Sequence, residues 1–208
     1  MASYRWNEQA GRFVNERGVF VSEATVRSVI DGIADAASER LARASERLLN
    51  GELPLGAWQA EAQQIIKLAH VSAAVLAHGG AEQMTFSRWG TIGPTVRSEY
   101  QFLRDFAQQI ADGRQPLNGM LTARARQYGQ AARVTFERTY GQDQQQRGYR
   151  SERSVLSSAE HCAQCVGEVG KGWQPIGTLI FIGQRTCRSL DRCHMEYRRE
   201  MADSEAAA

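Results

Sequence analysis

The stretch SEATVRSVIDGIADAASERLARASERLLNG, residues 22–51, decides the fold class. Its apolar side chains recur every three or four residues, the spacing that puts them on one face of an α-helix. Ser22 is suited to cap the start of this helix, and Gly51 is suited to end it. Gly32 inside it costs about 1 kcal/mol relative to alanine, so we expect close packing there. The predicted apolar face consists of Val26, Ile30, Ile33, Ala37, Leu41, Ala44 and Leu48.

Three further segments carry a similar apolar spacing. Residues 53–80 predict a second helix that ends at a pair of glycines. A third helix is expected to open at Pro94 and to close at Gly113, because proline is favoured in a first helical turn. Residues 121–140 predict a fourth helix. Since the connections are short, the sequence predicts a mainly α protein with an N-terminal antiparallel helical bundle over residues 1–140.

Composition points to an ordinary soluble protein. Of 208 residues, 42% are hydrophobic and 23% charged, with a mean hydropathy of -0.46. No apolar run approaches the ~20 residues that span a bilayer, and the charged N-terminus lacks the apolar core of a signal peptide. We therefore expect that the protein is made and assembled in the cytoplasm and has no membrane partner. The net charge of +2 does not indicate DNA as a partner, although it leaves DNA binding possible.

The pattern changes after the fourth helix. Residues 141–154, GQDQQQRGYRSERS, are almost free of apolar side chains and predict a polar linker or a solvated extension of the fourth helix. Residues 155–200 form a cysteine module in which glycines and a proline are expected to break any helix, leaving an irregular or β-hairpin fold. Within it, TLIFIG at 178–183 is a candidate strand. Residues 201–208 predict a disordered tail.

The module holds every cysteine of the chain, in the spacing C-x2-C-x21-C-x5-C: Cys162, Cys165, Cys187 and Cys193. Two thiolates three positions apart can reach one ion, and a second pair returning from a hairpin completes a tetrahedron. In a cytosolic protein this pattern favours a structural zinc site, with His161 and His194 as substitute ligands. One or two disulfides, or reduced cysteines that serve in the core, remain alternatives. Trp173 is expected to cover the site.

No catalytic constellation is visible in the sequence. It lacks a Ser/His/Asp set, a phosphate-binding glycine loop and a dinucleotide fingerprint. Zinc deaminases need a His-x-Glu ahead of Pro-Cys-x-x-Cys, whereas Glu160 and His161 directly precede Cys162 without a proline. The sequence therefore predicts a protein that is not an enzyme.

The module resembles the minor head, or head morphogenesis, proteins of tailed bacteriophages. The resemblance rests on HCAQC (161–165), GKGWQPIG (170–177) and CRSLDRCHMEYR (187–198). The final cluster of that family often reads C-x3-C-x-C, and Asp191 stands here at the position of the middle cysteine. Asp191 is therefore a further substitute ligand.

The resemblance implies a non-enzymatic virion component at the portal or head–tail vertex. Such a protein would assist head assembly and DNA packaging or ejection, as a homo-oligomer that contacts portal, capsid or connector proteins. A head–tail adaptor or a capsid cement protein is the nearest alternative. A zinc-dependent nucleic-acid-binding module is a second alternative. A hydrolase or nuclease that uses Glu160 or Asp191 is a third, and no constellation supports it.

Overall fold

The computed structural model describes residues 4–157 and 160–199. The chain is 61% helical, which confirms the predicted mainly α fold. It divides into two compact units, Met1–Phe136 and Glu137–Ala208. The tail predicted for 201–208 lies outside the described residues. In chain order the elements are β1 (Tyr4–Asn7), β2 (Arg12–Asn15), β3 (Phe20–Val21), α1 (Glu23–Leu49), α2 (Leu55–Ala77), α3 (Phe86–Ala111), α4 (Gly119–Gln146), β4 (Ser151–Val155), α5 (Ala163–Gly170), β5 (Gln174–Pro175) and β6 (His194–Arg198).

The helices of the N-terminal unit form an antiparallel bundle, and polar contacts give the direction of α4. Arg133 Nε lies 2.5 Å from Asp31 Oδ1 of α1, while Arg126, one to two turns earlier on α4, pairs with Glu39 further along α1. The Tyr128 hydroxyl donates to the Phe102 carbonyl of α3 at 3.1 Å. Helix α4 therefore runs antiparallel to α1. The first half of α4, up to Phe136, belongs to this unit.

The centre of the bundle is built around Trp58 of α2, which is fully buried. Its ring lies edge-on to Phe106 of α3, with centroids 5.5 Å apart, and its Nε1–H donates to Ser45 Oγ of α1 at 3.1 Å. Many of the remaining buried positions are alanines, which let the helices approach closely. Every residue of the predicted apolar face of α1 is buried except Ile33, which is half-buried.

The helix starts agree with the sequence at α1 but differ at α3. Thr25 N–H donates to Ser22 Oγ at 3.1 Å, so Ser22 caps α1 as predicted. The predicted opening of the third helix at Pro94 is wrong, because α3 begins at Phe86 and contains Pro94. Thr85 caps this earlier start, accepting the Arg88 N–H at 3.3 Å. An interior proline removes one hydrogen bond of the ladder and crowds the carbonyl four residues earlier, yet the helix continues through Pro94.

A three-stranded antiparallel sheet, β1-β2-β3, precedes the bundle and was missed in the sequence. Trp6 and Phe13 pair across it, with ring centroids 5.0 Å apart, and both are buried. Trp6 N–H donates to the Gly79 carbonyl at 3.2 Å, which ties β1 to the turn after α2. Gly79 and Gly80 have φ of 95° and 103°, a conformation that glycine adopts without strain.

The C-terminal unit contains a second antiparallel sheet in the order β5-β4-β6, together with α5. The helix extension predicted as one alternative for 141–154 is confirmed up to residue 146, where α4 ends. The polar linker predicted there is wrong, because β4 is the central strand of the sheet. Glu152 of β4 is buried because its Oε1 accepts the Gly177 and Leu179 N–H groups at 2.9 and 3.2 Å. The buried carboxylate thus satisfies backbone N–H groups of the loop at residues 177–179.

Two further expectations for the cysteine module are wrong. Residues 163–170 form α5 despite the glycines at 167 and 170. Residues 178–183, the candidate strand, have irregular backbone and bury Leu179 and Ile182 instead. The strands of this sheet come from more polar segments, so apolar content alone did not locate them.

Two glycine-to-alanine substitutions in the bundle are expected to have opposite effects. A Cβ at Gly129 would lie 2.8 Å from Ser38 Cα and meet the Ser38 backbone nitrogen, whereas a Cβ at Gly32 has nothing within 4 Å. The close packing expected at Gly32 therefore occurs at Gly129. We expect Gly129→Ala to lower the free energy of unfolding by about 1–3 kcal/mol and Gly32→Ala to raise it by up to about 1 kcal/mol. Urea unfolding followed by circular dichroism measures both, and equal shifts for the two variants would contradict the close α1–α4 approach.

Candidate metal centre

Three short elements bring the cysteines together. Cys162 caps the start of α5, where its Sγ lies 3.5 Å from the Cys165 backbone nitrogen in the first turn of that helix. Cys187 immediately precedes a short 3₁₀ turn, Arg188–Leu190. Cys193 comes directly before β6. The loop between Cys165 and Cys187 is fixed to α5 by Gln164 Oε1, which accepts the Thr186 N–H at 2.8 Å and its hydroxyl at 2.9 Å.

Three of the sulfur atoms form a small triangle. The Sγ–Sγ distances are 3.5 Å between Cys162 and Cys165, 3.8 Å between Cys165 and Cys187, and 3.2 Å between Cys187 and Cys162. In a tetrahedral site with metal–sulfur bonds of about 2.3 Å, neighbouring sulfurs are about 3.8 Å apart. All four cysteines are free thiols. The cluster is compatible with a metal site.

A second group of potential ligands shares Cys165 with this triangle and adds Asp191 and Cys193. Both Asp191 oxygens lie 3.9 Å from Cys165 Sγ, and Asp191 Oδ1 accepts the Cys193 N–H at 3.0 Å. All three residues are buried. Cys165 is therefore shared by both groups, and Cys193 and Asp191 are the candidates for a fourth ligand beside the triangle.

The two flanking histidines occupy different surroundings. His161 Nδ1 lies 3.6 Å from Cys193 Sγ, and its Nε2 lies 2.8 Å from the Ser157 carbonyl. Because a carbonyl only accepts, Nε2 carries the proton, and the lone pair of Nδ1 faces the cluster in the neutral ring. His194 is on β6, with Nε2 3.9 Å from Glu196 Oε1. It belongs to neither ligand group formed by the described residues.

A buried arginine beside the cysteines was missed in the sequence. The Arg185 side chain is 0% exposed, with Nε 3.9 Å from Asp191 Oδ2 and donating to the Ile180 carbonyl at 2.8 Å. Its positive charge opposes the rise in the pKa of the Cys165 and Cys193 thiols that burial causes. With 23 arginines in the chain, nothing in the sequence marks this one, because its role depends on burial.

The thiols have unequal pKa values in the metal-free protein. The hydrogen bond from the Cys165 N–H, and then one from Cys187, lower the pKa of Cys162 to about 7. Burial raises the pKa of Cys165 to about 12, and the hydrogen bond with Cys162 raises that of Cys187 to about 12. Burial also raises the pKa of Cys193. At neutral pH a metal ion would therefore meet one partly ionised thiol and would displace protons from the others.

The two carboxylates weighed as acid–base candidates differ in burial. Glu160 is exposed, whereas Asp191 is buried among the thiols. The Trp173 ring, expected to cover the cysteines, lies against the guanidinium groups of Arg153 and Arg198, 4.8 and 4.7 Å from its centroid.

No protein-family model, curated protein or solved structure matches this chain. None of the helices in the described ranges combines the length and apolar character that a bilayer crossing needs.

Proposed function

We propose that the C-terminal unit is stapled by one zinc ion held by Cys162, Cys165, Cys187 and Cys193. The sulfur triangle carries this proposal, because distances of 3.2–3.8 Å suit one face of a thiolate tetrahedron. Cys193 is preferred to Asp191 as the fourth ligand, since Asp191 already accepts the Cys193 N–H and pairs with Arg185. Soft thiolate ligands in tetrahedral geometry favour zinc over magnesium or calcium.

Four protein ligands leave no open coordination position, which is the arrangement of structural zinc sites rather than catalytic ones. A structural role also fits the unit itself. Its strands are short, and several of its buried positions are polar, among them Glu152, Glu168 and Ser154. A small unit with a limited apolar core gains much of its stability from a bound metal.

For the whole chain we propose a non-enzymatic virion component, a minor head protein of a tailed bacteriophage associated with the portal or head–tail vertex. The support is the resemblance of HCAQC, GKGWQPIG and CRSLDRCHMEYR to that family. All three motifs lie in the C-terminal unit that the cysteines staple. In this role the zinc-stapled unit would be a rigid docking element for portal or connector subunits in a homo-oligomeric assembly.

Quantitative mass spectrometry of purified particles tests this role. We expect a copy number near that of the portal subunits or a small multiple of it, because ring-shaped vertices impose their symmetry on bound proteins. A count near that of the major capsid protein would replace the proposal with capsid cement. Absence from mature particles would overturn the virion assignment.

A further inference from the structure

Burial separates the charges of the C-terminal unit by sign. Residues 137–199 contain ten Lys and Arg and seven Asp and Glu. Five of the seven carboxylates are at most 4% exposed: Glu137, Asp143, Glu152, Glu168 and Asp191. Among the cations, only Arg185 and Arg147 have side chains that are at most 8% exposed. The surface of the described unit therefore presents eight cations but only two carboxylates, Glu160 and Glu196.

Two of these cations lie on one face of the β5-β4-β6 sheet. Arg153 of β4 lies opposite Glu196 of β6, and Arg198 is two residues further along β6. Because side chains alternate along a strand, Arg153 and Arg198 project from the same face. The Trp173 ring contacts both guanidinium groups. We call Arg153, Trp173 and Arg198 the arginine face.

Two further exposed cations, Arg199 and Arg150, lie at the end of the sheet, outside the arginine face. The Arg199 guanidinium lies over the Tyr149 ring, 5.4 Å from its centroid. The Arg150 N–H donates to the Arg198 carbonyl at 2.9 Å, which places the backbone of this exposed residue next to the end of β6.

The opposite face of the sheet is occupied within the unit. Met195 and Tyr197 project there, where the Tyr197 ring meets Tyr140 of α4 with centroids 5.9 Å apart. The Met195 N–H also donates to Glu137 Oε2 at 3.2 Å. The side chains of the arginine face are half-exposed. Within this unit, a ligand can therefore reach the sheet from that face.

The composition of the arginine face fits a polyanion better than a protein surface. Protein interfaces have an apolar core, but the exposed large apolar residues of the described unit, Val166, Ile180 and Leu190, lie outside its strands. Guanidinium groups that stack on aromatic rings are already oriented and match phosphate oxygens. Arg153 also pairs with Glu196 at 2.6 Å, which orients it further.

We propose that the arginine face binds the phosphate backbone of DNA without reading its bases. This goes beyond the proposed structural role and does not depend on the identity of the virion partner. The net charge of the chain gives no indication of this basic face, because it counts buried carboxylates and exposed arginines equally.

Fluorescence anisotropy of the full-length, metal-loaded protein with a labelled DNA duplex tests the proposal. Between about 50 and 200 mM salt we expect log K to fall linearly with log salt concentration, with a slope near −0.9 for each phosphate contacted. The double variant Arg153→Gln/Arg198→Gln is expected to bind about tenfold more weakly at the lower salt concentration and to reduce the slope by about 2. The matched control, Arg40→Gln/Arg43→Gln on exposed positions of α1, removes the same charge and should change binding by less than about twofold.

Three outcomes would overturn the proposal: no salt-dependent binding by the unaltered protein, equal losses in the test and control variants, or equal affinity for polyglutamate and DNA. The last outcome would point to an acidic protein partner instead. Should the double variant lose zinc or its circular dichroism spectrum, the single variant Arg153→Gln replaces it, with Arg40→Gln as its control. That variant should lower the slope by about 1, and an unchanged slope would count against the proposal.

Discussion

Replacing Cys165 with serine is expected to release the zinc ion and to unfold the C-terminal unit. Cys165 is 1% exposed and is the residue shared by both groups of potential ligands. Apparent binding free energies of structural zinc are about 10–16 kcal/mol, and much of this is folding free energy. A serine hydroxyl is a poor zinc ligand at neutral pH, so the tetrahedron loses one corner and the strands lose their staple.

The measurement is zinc content by inductively coupled plasma mass spectrometry, combined with near-ultraviolet circular dichroism. The unaltered protein should carry about one zinc per chain. Cys165→Ser should carry almost none and lose the part of the aromatic signal that comes from the C-terminal unit, such as Trp173, while the bundle keeps its own. Ala163→Ser, an exposed position in the first turn of the same helix, introduces the same side chain and should retain both. Stoichiometric zinc in Cys165→Ser would contradict the site, as would an unaltered protein that keeps its fold under chelation. Disulfides found in the protein purified under non-reducing conditions would favour the alternative of a disulfide frame.

The pH dependence of zinc binding provides a second readout of the same site. The pKa values of about 12 for Cys165 and Cys187 mean that both thiols are protonated near pH 7 before the metal binds. Zinc must displace these protons, so its affinity falls as the pH falls, about tenfold for each proton displaced per pH unit. Cys162, with a pKa of about 7, adds to this dependence mainly below that pH. An affinity that does not change between pH 7 and 8 would show that the thiolates are not the ligands.

The long helices were predictable because their apolar spacing is set by the chain itself. Ser22, the α1 face and the turn at Gly79 and Gly80 all follow local rules of capping, periodicity and backbone conformation. The strands β1, β2 and β3 were not predicted because each has four residues or fewer. Such segments are too short to show an alternating apolar pattern. Proline is favoured at helix starts, but α3 begins eight residues before Pro94 because Thr85 caps it there.

In the C-terminal unit, the prediction failed where burial depends on contacts distant in sequence. Glu152 reads as a linker residue, yet it is buried because the backbone of residues 177–179 donates to it. Cysteine spacing did indicate a cluster, since Cys162 and Cys165 must share one turn. Asp191 was indicated by its position between Cys187 and Cys193. The placement of Arg185 beside them depends on how the loop between Cys165 and β6 folds back, which no local pattern encodes.

Replacing Trp58 with alanine is expected to lower the free energy of unfolding of the bundle by about 3–5 kcal/mol, the range for removing a buried aromatic side chain. Trp58 is fully buried between α1 and α3, against Ser45 and Phe106. Its removal leaves a cavity that the alanine-rich neighbours are too small to fill. Ser45 stays satisfied, because its hydroxyl also donates to the Leu41 carbonyl at 2.8 Å, so the loss is one of packing.

Urea unfolding monitored by circular dichroism at 222 nm measures this loss, and two variants separate its causes. Trp58→Phe keeps most of the ring volume and loses the hydrogen bond to Ser45, so it should cost about 1 kcal/mol for the bond plus a smaller packing term. Trp89→Ala removes a tryptophan that is 46% exposed on α3 and should cost less than Trp58→Ala by at least about 2 kcal/mol. Zinc content should be unchanged in all three variants, because the metal ligands lie in the other compact unit. If Trp58→Ala and Trp89→Ala cost the same, Trp58 is not the packing centre of the bundle, and the alanine-lined helices must derive their stability from another contact.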